Sequence, residues 1–151
     1  MSFMTQLADL VHRSPSAEDF ERLGREALPG HLGIHIDAVE PGLVRSRLQV
    51  ASAHMAPNGY VHAGAVVALA DTSCGYGCVA SLPPGASGFT TIELKTNFLG
   101  TVTEGAIACS ARLVHGGRTT QVWDAEVTDA ASGRSLALFR CTQLVLYPRP
   151  S

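Results

Sequence analysis

From residue 89 to residue 147 the chain falls into four strand-like runs, and within them apolar and polar side chains tend to alternate. A period of two is the spacing of a strand with one buried face. In 89–99, Ile92, Leu94 and Phe98 alternate with Glu93, Lys95 and Asn97; in 118–128, Trp123, Ala125 and Val127 alternate with Val122, Asp124 and Glu126. The other two runs cover 105–115 and 135–147. Thr103-Glu104-Gly105, His115-Gly116-Gly117 and Ser132-Gly133 link them, turn chemistry that suits hairpins and predicts a four-stranded antiparallel meander. The last run, SLALFRCTQLVLY, is apolar at both parities over most of its length, which predicts a place inside the sheet. A further alternating pair, 33–39 and 43–50, flanks Glu40-Pro41-Gly42 and reads as a hairpin.

Elsewhere the pattern is helical. Residues 3–12 and 18–28 predict two short helices, the second opened by Ser16 with Glu18 and Asp19 and closed by Pro29-Gly30. A loop at 51–61 holds the Pro57-Asn58-Gly59 turn, and a Pro/Gly-rich loop covers 81–88. Between them, residues 62–80 predict one long helix. Its length raises the membrane question, but Gly64, Gly75, Gly77, Asp71, Thr72 and Ser73 make it a poor spanning segment, so a buried core helix is expected. Small residues (Ala63, Gly64, Ala65, Ala68, Ala70, Gly75, Gly77) let a sheet wrap closely around it. The elements make one α+β domain over residues 1–151, with an N-terminal helical segment at 1–30 and a core at 31–148.

Composition narrows the function. At 46% hydrophobic, 16% charged and a net charge of −2, the chain has no basic stripe for nucleic acid. Its N-terminal stretch carries acidic residues and lacks the basic start and apolar core of a signal peptide, so the expected location is cytoplasmic. Cys74, Cys78, Cys109 and Cys141 lack zinc-knuckle spacing and read as small buried hydrophobes in a reducing compartment, with a nucleophilic Cys74 or Cys78 as the alternative. His12, His31, His35, His54 and His115 show no metal spacing, so no metal is implied.

Asp71 stands out because it is the only charged residue between His62 and Ser81. Burying an unpaired charge costs several kcal/mol, so this carboxylate faces solvent, finds a partner, or is kept for chemistry.

The element order and the segment PNGYVHAGAVVALADTSCGYG together resemble the hotdog-fold acyl-CoA thioesterases of the phenylacetate-degradation and 4-hydroxybenzoyl-CoA type. In that family a His-Gly-Gly opens the central helix and an acidic residue follows nine positions after the His; here His62-Ala63-Gly64 and Asp71 keep that spacing. The resemblance spans about residues 31–148 and implies a hotdog fold, an antiparallel sheet wrapped around one long central helix. It also implies hydrolysis of an acyl-CoA, aromatic or phenylacetyl-type, to free acid and CoA, with no cofactor because coenzyme A is part of the substrate. The other readings are a non-catalytic acyl-CoA-binding module and a thioesterase for carrier-protein thioesters.

Nine residues of α-helix turn through about 900° and advance about 13 Å, so His62 and Asp71 lie on opposite faces of their helix. A two-fold dimer can bring the helix start of one subunit beside Asp71 of the other. The resemblance implies such shared sites in a homodimer, and further a homotetramer. By the same resemblance the Ala63 N–H holds the thioester oxygen, and Asp71 acts as general base or attacks the thioester directly. His62 either polarises the carbonyl or serves as a structural hydrogen-bonder. Relatives carry an amide six residues before the His, where this chain has Ala56; Asn58 either substitutes or serves its turn. Thr90 and Thr91 lie where a hydroxyl approaches the substrate, though β-propensity explains them equally. Gly64 and the Gly117, Arg118 and Thr119 turn are candidates to bind substrate, the turn through CoA phosphates or pantetheine.

Overall fold

The computed structural model describes residues 3–11 and 13–149. His12 and the extreme ends of the 1–151 span lie outside the described residues. The chain opens with helices α1 (Phe3–Val11) and α2 (Ala17–Gly24). A capping box starts α2: the Ser16 hydroxyl accepts from the Asp19 N–H at 3.2 Å, and the Asp19 carboxylate accepts from the Ser16 N–H at 2.9 Å. The helix expected to run to residue 28 stops at Gly24, and Pro29-Gly30 does not close it. These residues instead belong to a short helix, α3 (Leu28–Leu32), ended by Gly33 at φ 72°. Proline fits the first turn of a helix because its missing N–H would be unpaired there in any case.

Strands β1 (Ile34–Glu40) and β2 (Leu43–Gln49) form the expected hairpin. Then come α4 (Ala63–Ala80), β3 (Gly88–Phe98), β4 (Ala106–Gly116), β5 (Thr120–Asp129) and β6 (Ser135–Leu146). The sheet is antiparallel with order β1-β2-β4-β5-β6-β3, and α4 packs against all six strands. This is the hotdog arrangement, a sheet curled around one helix.

The meander is only partly present. Strand β3 does not pair with β4; it crosses to the far side of β6, with Leu94 opposite Cys141 and Phe98 opposite Ala137, while β4 pairs with β2. The Thr103-Glu104-Gly105 turn therefore joins strands that are not neighbours. Its loop is held by Val50 N–H donating to Gly105 O at 2.8 Å and Leu99 N–H to Leu136 O at 2.8 Å. Strand β6 lies inside the sheet as its composition predicts, and β3 becomes an edge.

The helix meets the sheet closely at one point. A Cβ on Gly77 would lie 2.5 Å from Cη2 of the fully buried Trp123 in β5, so the α4 backbone rests on the indole. Trp123 Nε1 donates to Gln121 Oε1 at 2.8 Å, and Gln121 Nε2 donates to the Ser81 carbonyl at 2.8 Å, tying the end of α4 to β5. α4 is long and apolar enough to cross a membrane, yet 56% of it is buried within this fold, as in a core helix. All four cysteines are free and buried; burial pushes the Cys78 and Cys109 thiols up to about 12, so neither is a thiolate nucleophile at neutral pH.

Candidate functional site

The start of α4 is built around His62. Its backbone is extended (φ −63°, ψ 136°), and its Nδ1 accepts a hydrogen bond from the Gly64 N–H at 2.7 Å. Neutral His62 therefore carries its proton on Nε2. Gly64 has a steric reason to lack a side chain, since a Cβ there would come within 2.9 Å of that Nδ1. The His62 N–H donates to the His54 carbonyl at 2.8 Å. His54 in turn accepts from the Ala51 N–H at 2.9 Å and donates from Nε2 to Leu32 O at 2.8 Å. The loop before the helix is thus fixed by its own hydrogen bonds.

These bonds leave one donor over. Ala63 is exposed at the first helical position, and the described residues give its N–H no acceptor. An unpaired N–H at the positive end of a helix is suited to an oxyanion.

Asp71 lies further along α4 and is half-buried. Its Oδ1 is fully buried without a partner among the described residues, and burial raises its carboxyl above the ordinary value. A raised carboxyl sits closer to the pH at which a general base works. The group lines a cavity of about 320 Å³, together with Gly75, Tyr76 and Val79 of the same helix, Phe89, and residues of the N-terminal helices. The eight residues from Ala63 to Asp71 span about 12 Å of helix axis, so one chain alone keeps donor and carboxylate apart.

The remaining candidates are scattered. Asn58 is exposed in its turn, where Oδ1 accepts from the Tyr60 N–H at 3.2 Å and Gly59 has φ 84°. Thr91 pairs with the buried Gln143 and donates to its Oε1 at 2.7 Å, on the sheet face toward α4. Thr90 pairs with the exposed Leu144, on the opposite face. In the β4–β5 turn the Gly117 N–H donates to Thr120 O at 2.8 Å, and Thr119 O accepts from Val145 N–H at 2.9 Å. Arg118 is exposed, its guanidinium 5.5 Å from the centre of the Tyr147 ring, while Tyr147 Oη donates to the Arg118 carbonyl at 2.6 Å. His62, Ala63 and Gly64 form one local unit at the start of α4, and Gly117, Arg118 and Thr119 another in the β4–β5 turn.

Sequence reasoning missed the cavity wall. The signal was present as Asp71, Gly75 and Val79, spaced by four on one helix face with a glycine leaving room in the middle.

Comparison with known proteins decides the family. Residues 58–135 match the family described as "Thioesterase superfamily". The chain belongs to the thioesterase superfamily. It is 33% identical to 1,4-dihydroxy-2-naphthoyl-CoA hydrolase of Listeria monocytogenes over 111 residues, covering 74% of this chain and 89% of that one. The structure superposes on a mutant of thioesterase PA1618 from Pseudomonas aeruginosa with a TM-score of 0.83 at 26% identity, covering 89% and 96% of the two chains. Thioesterase HI1161 from Haemophilus influenzae gives a TM-score of 0.83 at 25% identity, covering 89% and 93%. As a member of this superfamily the chain is a thioester hydrolase with the hotdog fold.

Proposed function

We propose that this thioesterase hydrolyses an aromatic or phenylacetyl-type acyl-CoA to free acid and CoA, at sites shared between two subunits of a cytoplasmic homo-oligomer. The observation that carries the proposal is the pairing of a buried, unpartnered Asp71 oxygen with a free Ala63 N–H about 12 Å along the same helix. Each half of the chemistry lacks its counterpart within one chain, and a two-fold axis supplies it. The β3 edge supports this arrangement. Leu94 and Phe98 are 44% and 49% exposed although their register partners, Cys141 and Ala137, are buried. That apolar strip continues the inner face of the sheet past α4, where a second subunit would cover it. The naphthoyl-CoA hydrolase among its relatives supports an aromatic acyl group.

In this mechanism the thioester oxygen accepts from the Ala63 N–H, and Asp71 of the other subunit takes a proton from water as the water oxygen bonds to the carbonyl carbon. The tetrahedral oxyanion stays on the Ala63 donor until it collapses, breaking the C–S bond and releasing CoA thiolate. Direct attack by the Asp71 carboxylate, giving an anhydride that water then opens, uses the same two groups. His62 keeps the helix start in register by capping Gly64, Asn58 shapes the adjoining turn, and Thr91 lies on the substrate side of β3. Arg118, exposed in its turn, suits a CoA phosphate.

Release of free CoA thiol from acetyl-, octanoyl-, benzoyl- and phenylacetyl-CoA tests this directly. Asp71→Asn should lower kcat by about 10²–10⁴-fold. Ala63→Pro removes the N–H at a position where proline suits the helix, and should lower kcat by about 10²–10³-fold. Full turnover in Asp71→Asn would overturn the mechanism, and turnover of carrier-protein thioesters alone would overturn the substrate.

A further inference from the structure

We infer that Tyr76 sets the length of acyl group this enzyme accepts, acting as a partition that the N-terminal helices hold in place. The inference rests on the assignment of Asp71 to the reacting thioester. The cavity of about 320 Å³ beside Asp71 follows α4 past Gly75 and Val79, with Leu7 of α1 and Leu23 of α2 among its wall residues. Gly75 leaves room there, because a Cβ would come within 3.1 Å of Phe89 Cζ. A second cavity of about 190 Å³ reaches from Tyr76 to Glu21 and His35 on β1. Gly24, Pro29 and Tyr76 line both, so they form the wall between the two spaces.

The Tyr76 ring is locked in that wall. Phe20 of α2 stacks on it with ring centres 4.4 Å apart and planes 14° from parallel. One turn along α2, Gly24 meets the tip of the ring, where a Cβ would lie 2.6 Å from the Tyr76 hydroxyl oxygen. Burial, with Glu21 nearby, pushes the phenol up to about 12, so the partition is uncharged at neutral pH. None of the described residues lining the Asp71 cavity is a cation, and Asp71 is its one carboxylate. The space therefore suits an uncharged hydrocarbon acyl group and disfavours one ending in a second carboxylate, which would meet Asp71 without a counter-charge. Part of its wall (Leu7, Leu23, Gly24, Ala27 and Pro29) comes from the N-terminal segment, outside the residues 58–135 that carry the superfamily match, and the rest from α4 and β3. Acyl selectivity is thus shared between Tyr76 of α4 and the N-terminal helices that pack against it.

The test is the ratio of kcat/KM for dodecanoyl-CoA to that for butanoyl-CoA, measured by CoA thiol release in wild type, Tyr76→Ala and Leu23→Trp, with folding checked by circular dichroism. Opening the partition in Tyr76→Ala should raise the ratio by about tenfold or more, and filling the cavity in Leu23→Trp should lower it by a similar factor. Leu23 is half-buried at the surface of the molecule, so its variant remains a test if Tyr76→Ala fails to fold. An unchanged ratio in Leu23→Trp, or in folded Tyr76→Ala, overturns the inference. Asp71→Asn, assayed beside them, separates the two claims. If it is inactive while both ratios stay at the wild-type value, only the acyl partition fails; if it is fully active, the assignment of the site fails.

Discussion

At the scale of single residues, Asp71 works against the fold that holds it. Its Oδ1 is buried without a partner, and burial raises its carboxyl above the ordinary carboxylate value. A raised folded-state value means the group's contribution to stability is fully present below the unfolded carboxyl value and is lost as the pH rises through the folded value. Asp71→Asn keeps the shape and removes the charge, so at neutral pH it should stabilise the protein by about 1 kcal/mol, the usual size of relief at a strained functional position. Thermal melts of both forms between about pH 4 and about pH 8 check this, since the gain should shrink toward acid. A variant less stable than wild type at neutral pH would show that Asp71 has a structural partner. The same shift predicts that turnover falls as the pH drops through the raised value, because a base must be ionised. Asp71 was visible in the sequence as a lone charge in an apolar helix. For His62 the sequence leaves carbonyl polarisation and a structural hydrogen bond both open, because a ring nitrogen capping Gly64 depends on the extended backbone of His62 and on its rotamer.

At the scale of elements, glycines let α4 approach its neighbours closely at two points, Gly75 against Phe89 and Gly77 against Trp123. Gly77 rests on Trp123, and the Trp123–Gln121–Ser81 hydrogen bonds fasten the helix end to β5. Adding one methyl group in Gly77→Ala would drive a Cβ to 2.5 Å from the indole and should destabilise the protein by about 1–3 kcal/mol, although alanine is the better helix former. Urea unfolding reads this as a lower midpoint; an unchanged or higher midpoint would mean that Trp123 moves aside freely. All six strands and the long helix were legible from periodicity and turn chemistry close to where they lie. The partner of β3 was not. Turn residues at 103–105 report that the chain bends, not which strand it joins, and that choice is made by wrapping the sheet around α4. Helix α3 was missed for a related reason: Pro29 ends one helix pattern as readily as it begins another.

At the scale of the whole molecule, the proposed mechanism needs two chains, each carrying two half-sites. The Ala63 donor and the Asp71 carboxylate were both readable as candidates, and helix geometry alone separates them by about 12 Å. The exposed apolar strip on β3 appears only once that strand is known to be an edge. Mixing two inactive variants tests the claim most directly. Asp71→Asn and Ala63→Pro subunits, each nearly inactive alone, are unfolded together, refolded and assayed for CoA thiol release. In a mixed dimer with shared sites, the Asp71→Asn subunit supplies an intact Ala63 and the Ala63→Pro subunit an intact Asp71, so one whole site forms and activity should return to about a quarter of wild type for random pairing. If both groups acted within one chain, no mixed dimer would hold a complete site, and activity no higher than that of the separate variants would contradict the account.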